Sequence, residues 1–320
     1  MFRLAIRTLH GLLLLAAVSL LSFLLFSLAP GNFFDELKLN PQISPEAVAA
    51  LKTEYAVDGP VAVRYWRWLR AAARGEFGYS LSYRCPVGTL LWPRARNTLL
   101  LTMLATILAW VVALPWGIVE ARQRGRWLDR LGGALTAVLL ATPELLLGLL
   151  LLLIAARTGW FPTGGMTSLH SVSGSLPVRF ADLATHLFLP VVALALGAVP
   201  ILVRHVRSAM VAALESPFVE AARGLGIPRW RITLRYALPA SANSLISLLG
   251  FSIGGLLSMS FLIEVILNWP GLGPLVLEAT LARDTHVVMG AVLLSSVLLL
   301  AGNVIADFLL YLTDPRIRVA

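Results

Sequence analysis

The chain has 320 residues, 58% of them hydrophobic and only 13% charged, with a mean hydropathy of +0.81. Soluble domains carry about 25% charged residues, so the composition excludes an ordinary soluble domain and points to lipid as the surroundings of much of the chain. The net charge of +9 comes from arginine, with Lys38 and Lys52 the only lysines; in so apolar a chain that excess sets topology and meets anionic lipid rather than nucleic acid, and one cysteine, Cys85, excludes an internal disulfide.

In chain order, Gly11 to Ala29 is a run of nineteen residues without a charge, close to the roughly twenty apolar residues that cross a bilayer. Arg3 and Arg7 ahead of it are also what a signal peptide would have. Pro30-Gly31-Asn32, however, is not a small-x-small cleavage pattern, and more apolar runs follow, so this run reads as a retained first span. Residues 31–97 form an insertion. Ser44-Pro45-Glu46 is a helix start, with an N-cap hydroxyl, a proline at the first position and an early acid, for a helix reaching Tyr55. A second helix is predicted from Pro60 to Arg74, stopped at Gly75. Its Arg64, Tyr65, Trp66, Arg67, Trp68 and Arg70 read either as anchors at lipid headgroups or as a docking face for a partner.

Further apolar runs follow at 98–119, 132–155, 187–206, 241–265 and 287–311. With 10–29 they make six spans, and they must be helices because lipid offers the backbone amides no other partner. The expected fold is an all-α polytopic membrane protein. It divides into residues 1–30, with the tail and first span; 31–97, a helical insertion; and 98–320, a five-span core with a loop at 207–240. Orientation follows from arginine. With the N-terminus cytoplasmic, the inside segments hold fourteen: Arg3, Arg7, Arg122, Arg124, Arg126, Arg130, Arg204, Arg207, Arg223, Arg229, Arg231, Arg235, Arg316 and Arg318. The two short outside loops hold three, Arg157, Arg179 and Arg283. Long segments such as 31–97 cross with little regard to charge. Both termini are therefore expected in the cytoplasm.

Carboxylates inside a membrane are costly and are functional candidates by default. Glu144 falls twelve residues into the third span, about 18 Å deep at 1.5 Å per residue, near the midplane. The only Arg or Lys in the six apolar stretches is Arg204, at the cytoplasmic end of the fourth, so no cation stands at mid-span to pair with it. Either it is protonated, hydrogen-bonded beside Thr142 and Pro143, or it meets a neighbouring chain or a water-filled path and favours substrates with a cationic end. Glu264, near the outer end of the fifth span, is expected to reach water. Asp307, one turn after Asn303, reads as a helix-end hydrogen-bonding group.

Between the fourth and fifth spans lies SPFVEAARGLGIPRWRITLRYALP, residues 216–239. Ser216-Pro217 starts a short helix carrying Phe218, Val219, Glu220, Ala221 and Ala222; Gly224-Leu225-Gly226 stops it. Pro228 suits the first turn of a second helix running to Leu238. Leu225 and Ile227 form an apolar knob rimmed by arginine, which reads as a partner-binding tip or as a lipid-surface helix pair.

Much chemistry is absent. Neither lysine ends a G-x-x-x-x-G-K-[ST], so this chain supplies no Walker lysine and any ATP is bound by another subunit. It has no H-E-x-x-H and no G-x-S-x-G, and no cofactor or metal is called for. A secondary transporter would need ion-coupling residues, for which only Glu144 and Asp307 stand out. A structural membrane subunit would not need a broken, knobbed loop.

The order Glu220-Ala221-Ala222, three residues, Gly226, nine residues, Tyr236 and then Leu238-Pro239 resembles the EAA signature of ABC-importer permeases; Tyr236 stands where isoleucine is usual. Phe23–Gly31 (FLLFSLAPG), Gly125–Asp129 (GRWLD), Gly159–Pro162 (GWFP), Asn268–Gly273 (NWPGLG), Ala282–Asp284 (ARD) and Asp314–Arg316 (DPR) are similar to stretches of the first, B-type membrane subunit of dipeptide, oligopeptide and nickel importers. Glu144 and Cys85 depart from that pattern. The resemblance covers nearly the whole chain. It implies a type I importer fold in a bacterial or archaeal inner membrane, a second permease chain, two ATP-binding subunits and an extracytoplasmic substrate-binding protein. It also implies that the loop docks in the ATPase. Glu220 would cap or ion-pair within the loop, Ala221 and Ala222 would allow close packing, Gly226 would make a turn that a side chain would block, Leu225, Ile227 and Arg229 would touch the ATPase, and Pro239 would close the motif.

Overall fold

Every predicted span is helical in the computed structural model, which describes residues 2–28, 60–168, 171 and 174–313. The helices are α1 (Phe2–Leu28), α2 (Val61–Ala72), α3 (Val87–Arg122), α4 (Trp127–Ala141), α5 (Glu144–Thr158), α6 (Leu176–Leu214), α7 (Pro217–Gly224), α8 (Arg229–Ile266), α9 (Leu272–Leu281) and α10 (Thr285–Thr313). Five of them are long and apolar enough to cross a membrane, and the number is six if the bent pair α4 and α5 counts as one span. The helices outrun the apolar stretches, because once a helix is nucleated it propagates into polar sequence. Thus α3 has 36 residues and α6 has 39. The helix predicted over 44–55, the side chain of Asp307 and the motif at 314–316 lie outside the described residues.

The third span is not the continuous helix expected. It breaks between Ala141 and Glu144, and its two arms are bent by 95°. The cause is local. The residue before a proline is pushed out of the helical region, and Thr142 is extended at φ −88°, ψ 118°. Pro143 follows at φ −58°, ψ 140°. Pro190 and Pro200, by contrast, lie inside α6 without ending it; both are buried among neighbouring helices, the setting in which membrane helices tolerate proline.

Contacts divide the chain into two units. One comprises Met1–Thr98 and Pro270–Leu298. Here a small antiparallel pair, β1 (Tyr79–Ser80) and β2 (Cys85–Pro86), precedes α3, and Phe77, Val87, Leu91, Leu275, Val287 and Ala291 form the core. Asp284 of the ARD stretch caps α10 through the Val287 amide (3.4 Å). It also accepts hydrogen bonds from the Ser80 hydroxyl (2.7 Å) and the Ser82 amide (3.1 Å), so one carboxylate ties the hairpin to a helix start. The NWPGLG stretch is held likewise: Asn97 Nδ2 donates to the Pro270 carbonyl (2.8 Å) and the Leu272 amide to Thr98 Oγ1 (2.9 Å). The Tyr83 hydroxyl donates to Glu278, and partial burial together with that carboxylate pushes its pKa up to about 12. In α2, Tyr65 and Trp68 pack on α1. The Tyr65 ring meets Phe23 edge-on at 5.4 Å, its hydroxyl lies 2.9 Å from Ser19 Oγ, and Trp68 is buried. Trp66, Arg67 and Arg70 stay exposed.

The other unit comprises Leu99–Trp269 and Leu299–Ala320. Helix α6 is its spine, packed against α4, α5 and α8. Ala105, Ala109 and Ala113, spaced one turn apart on α3, are fully buried in the same core as Leu194, Ala198 and Leu202 of α6. Small side chains at that spacing let helices approach closely where no water is present to drive association. Glu264 does not reach water as expected: it is fully buried beside Ile263, Leu267 and Trp269, and its carbonyl accepts the Trp269 amide at 2.8 Å.

Candidate functional site

The loop after α6 is built on one short helix. Ser216 is extended (φ −73°, ψ 149°), Pro217 holds the first helical position, and the amides of Val219 and Glu220 bond the Ser216 carbonyl. Val219 and Ala222, three residues apart on one face, are buried against Ile232, with Leu214 and Ile227 packed on them. Ala221 lies on the exposed face. Glu220 sits in the first turn, where the helix dipole favours an acid, but the expected ion pair within the loop is not formed among the described residues. Its partner positions one turn on are Arg223, whose guanidinium donates to the Leu214 carbonyl at 3.1 Å, and Gly224.

The helix ends in a Schellman motif. The Ile227 amide reaches the Ala222 carbonyl (3.3 Å) and the Gly226 amide the Arg223 carbonyl (3.0 Å), with Gly226 at φ +72°, the left-handed conformation this motif requires. A side chain at Gly226 would not be blocked, contrary to expectation, because a Cβ there meets nothing within 4 Å. Glycine is needed for its φ, not for room. The motif also splits the expected knob. Ile227 turns inward onto Ala222 and Val219, the usual hydrophobic contact of this cap, while Leu225 is 80% exposed. Around it Phe218, Arg229 and Trp230 are exposed, with the Arg231 guanidinium 5.5 Å from the Trp230 ring.

A separate second helix was expected from Pro228 to Leu238. Instead α8 runs unbroken from Arg229 to Ile266. Residues Ile232–Ala237 form a wider π turn, in which the Leu238 amide reaches back five residues to Thr233. Pro239 has no amide proton to offer the carbonyl of Arg235, and a local widening of the ladder is a common way to accommodate such a gap. Glu220, Ala221, Ala222, Leu225, Gly226, Ile227 and Arg229 therefore come together at one tip. Pro239 does not; it lines an apolar groove with Trp110, Leu114, Leu245, Ile246 and Leu249.

Glu144 is the first residue of α5, at the apex of the bent pair and not in the interior of a helix. Each arm has 15 residues, about 22 Å, too short to cross a hydrocarbon core of about 30 Å alone. Glu144 is half-buried, and a Cβ placed on Gly197 would lie 3.4 Å from its Cγ and 2.8 Å from Met259 Cε. Gly197 is midway along the apolar part of α6. The carboxylate thus lies level with the middle of the apolar part of α6, and it forms no ion pair among the described residues.

One cluster escaped the sequence reading. Arg207, counted there only as a topological charge, makes a two-pronged pair with Asp129: Nε to Oδ1 at 2.6 Å and Nη2 to Oδ2 at 2.9 Å. Asp129 also accepts the Gly125 amide (2.8 Å). Glu120 lies 3.9 Å from the same guanidinium and accepts Trp116 Nε1 at 2.8 Å. Both acids are buried. The available signal was Asp129 in the GRWLD stretch, an acid at the start of an otherwise apolar run.

Spans, broken helix and exposed helix-turn tip define a membrane-embedded transport subunit with a protruding loop. Residues 113–319 match the family described as "Binding-protein-dependent transport system inner membrane component", and residues 1–110 match "Binding-prot-dependent transport system membrane comp, N-term". The chain belongs to this family: it is a multi-pass inner-membrane permease of an ABC importer, a transport subunit rather than an enzyme. It is 33% identical over 315 residues to the oligopeptide transport system permease protein AppB of Bacillus subtilis (strain 168), covering 98% of each chain. It is 30% identical over 305 residues to the glutathione transport system permease protein GsiC of Salmonella typhimurium (strain LT2), covering 95% of this chain and 94% of that one. A solved structure of the inward-facing MetNI methionine ABC transporter aligns with a TM-score of 0.58 at 19% identity, over 70% of this chain and 96% of its own, which shows the type I importer fold. The family implies a permease partner, ATPase subunits and a substrate-binding protein.

Proposed function

We propose that this chain forms one half of the pathway of an importer for peptides or a related small solute, paired with a second, different permease chain and served by two ATPase subunits and one extracytoplasmic binding protein. The observation that carries the coupling is the tip: an exposed leucine held on a turn that the backbone cannot adjust cheaply. A short helix locked at both ends passes a push on Leu225 and Arg229 into α6 and α8, whereas a flexible loop would absorb it. Val219, Ala222 and Ile227 hold the tip to the base of α8. The arginine asymmetry supports a cytoplasmic location for this loop and for both termini, with residues 31–97 facing the binding protein. Peptide as cargo rests on relatives named for oligopeptides and glutathione, and Glu144 is read as lining the path at mid-depth. The test is Leu225→Asp in the complex reconstituted with its ATPase and binding protein. Loss of ATP-driven uptake together with loss of ATPase co-purification is expected, and full retention of both would defeat the reading.

A further inference from the structure

The end of α6 from which the loop hangs is bonded once to the turn joining α3 and α4 and once to the first turn of α4. Arg207, two turns before Leu214, grips Asp129 with two nitrogens (2.6 and 2.9 Å). Glu215, the first residue after α6, pairs with Arg124. The two bonds differ in kind. Arg124 and Glu215 are exposed, and such pairs contribute little. Asp129 and Glu120 are 9% and 2% exposed, and a planar guanidinium held by both oxygens of a buried carboxylate resists both sliding and rotation. The cluster is closely built. A Cβ on Gly132 would lie 2.1 Å from Glu120 Oε1 and 2.8 Å from Trp116 Nε1, so only glycine leaves room for Glu120 beneath α4. A buried acid with one arginine spread over two helices need not add net stability. What it adds is a fixed angle between α6 and α4. Helix α4 leads directly to Thr142-Pro143 and the break before Glu144.

We infer that Arg207, with Asp129 and Glu120, is the joint through which displacement of the 216–229 loop reaches the broken span, making these three positioning residues for coupling and not binding residues. The inference rests on the reading of the loop as the ATPase contact. A push on the loop moves α6, the clamp obliges α4 to follow as one body, and the elbow at Pro143 takes up the change of angle.

Arg207→Lys keeps the charge but offers a single point in place of the fork. In proteoliposomes holding the complete complex, with trialanine supplied through the binding protein, uptake per ATP hydrolysed should fall by at least about fivefold, the lower end of ordinary coupling factors, with the complex still assembled. A second reading needs no substrate: a spin label at Leu145, in a Cys85→Ser background, should change mobility when ATP binds the wild-type complex and fail to do so with Arg207→Lys. The triple variant Arg207→Met/Asp129→Leu/Glu120→Gln removes all three buried charges together and keeps an acceptor for Trp116, so it orphans no charge and remains informative if the single variant folds poorly; it should show the same uncoupling. An unchanged uptake-to-ATP ratio, or an unchanged Leu145 response, in either variant overturns the joint. Absence of trialanine uptake by the wild type bears on the peptide reading instead, and the Leu145 response then decides the joint alone.

Discussion

Replacing Gly226 separates two explanations for a glycine at the tip. A Cβ there has no heavy atom within 4 Å, so added volume costs nothing in the chain itself. The left-handed φ of +72° costs an ordinary residue about 1–2 kcal/mol, and Asn less because its side chain bonds locally. At 1.4 kcal/mol per factor of ten, Gly226→Ala should depopulate the locked turn by about 5- to 30-fold relative to its unlocked alternatives. Gly226→Asn should be milder although Asn is larger than Ala, and Gly226→Val should be worst, since a β-branched residue strains most at positive φ. ATP-driven uptake and ATPase co-purification, measured on the reconstituted complex for all three, should rank Asn above Ala above Val. If Ala outperforms Asn, the position is governed by space against a docked partner and the conformational argument fails.

Adjacent glycines on α4 should behave oppositely. Gly132→Ala collides with Glu120 and should destabilise by about 1–3 kcal/mol, whereas Gly133→Ala meets nothing within 4 Å and should be neutral or gain up to about 1 kcal/mol of helix propensity; thermal unfolding in detergent reads both. Glu144→Gln should lower uptake of peptides with a free N-terminal ammonium more than that of their N-acetylated forms, and an equal effect on both removes Glu144 from the recognition of charge.

What could be read in advance follows from what each feature depends on. The spans were legible because crossing lipid asks only for length and apolarity, which 98–119 or 287–311 display without reference to anything else. The tip was legible because Pro217, Gly226 and Pro228 have backbone demands of their own. The break was harder. Pro143, Pro190 and Pro200 look alike in sequence, and whether a proline bends a helix depends on what packs around it. The β-branched Thr142 before Pro143 was a hint, but the apolar run continues through both. The continuity of α8 was hidden for the opposite reason, since the π turn absorbs Pro239 where a stop was expected. Glu264 and the Arg207 cluster needed tertiary contacts: nothing about Arg207 alone distinguishes it from arginines that only set topology, and its partner lies 78 residues away.

The elbow makes bilayer thickness a structural variable for this chain. Crossing as one span and tilted equally on either side of the normal, two arms of about 22 Å bent by 95° would together reach about 30 Å, which equals a typical hydrocarbon core. A thicker bilayer would be matched by straightening the chevron and withdrawing its apex sideways, a thinner one by folding it further. Glu144 stands at that apex. On that geometry the lipid around the protein would act as a set-screw on the lateral position of the Glu144 carboxylate, and transport should have an optimum acyl-chain length that a permease with six straight spans would not share.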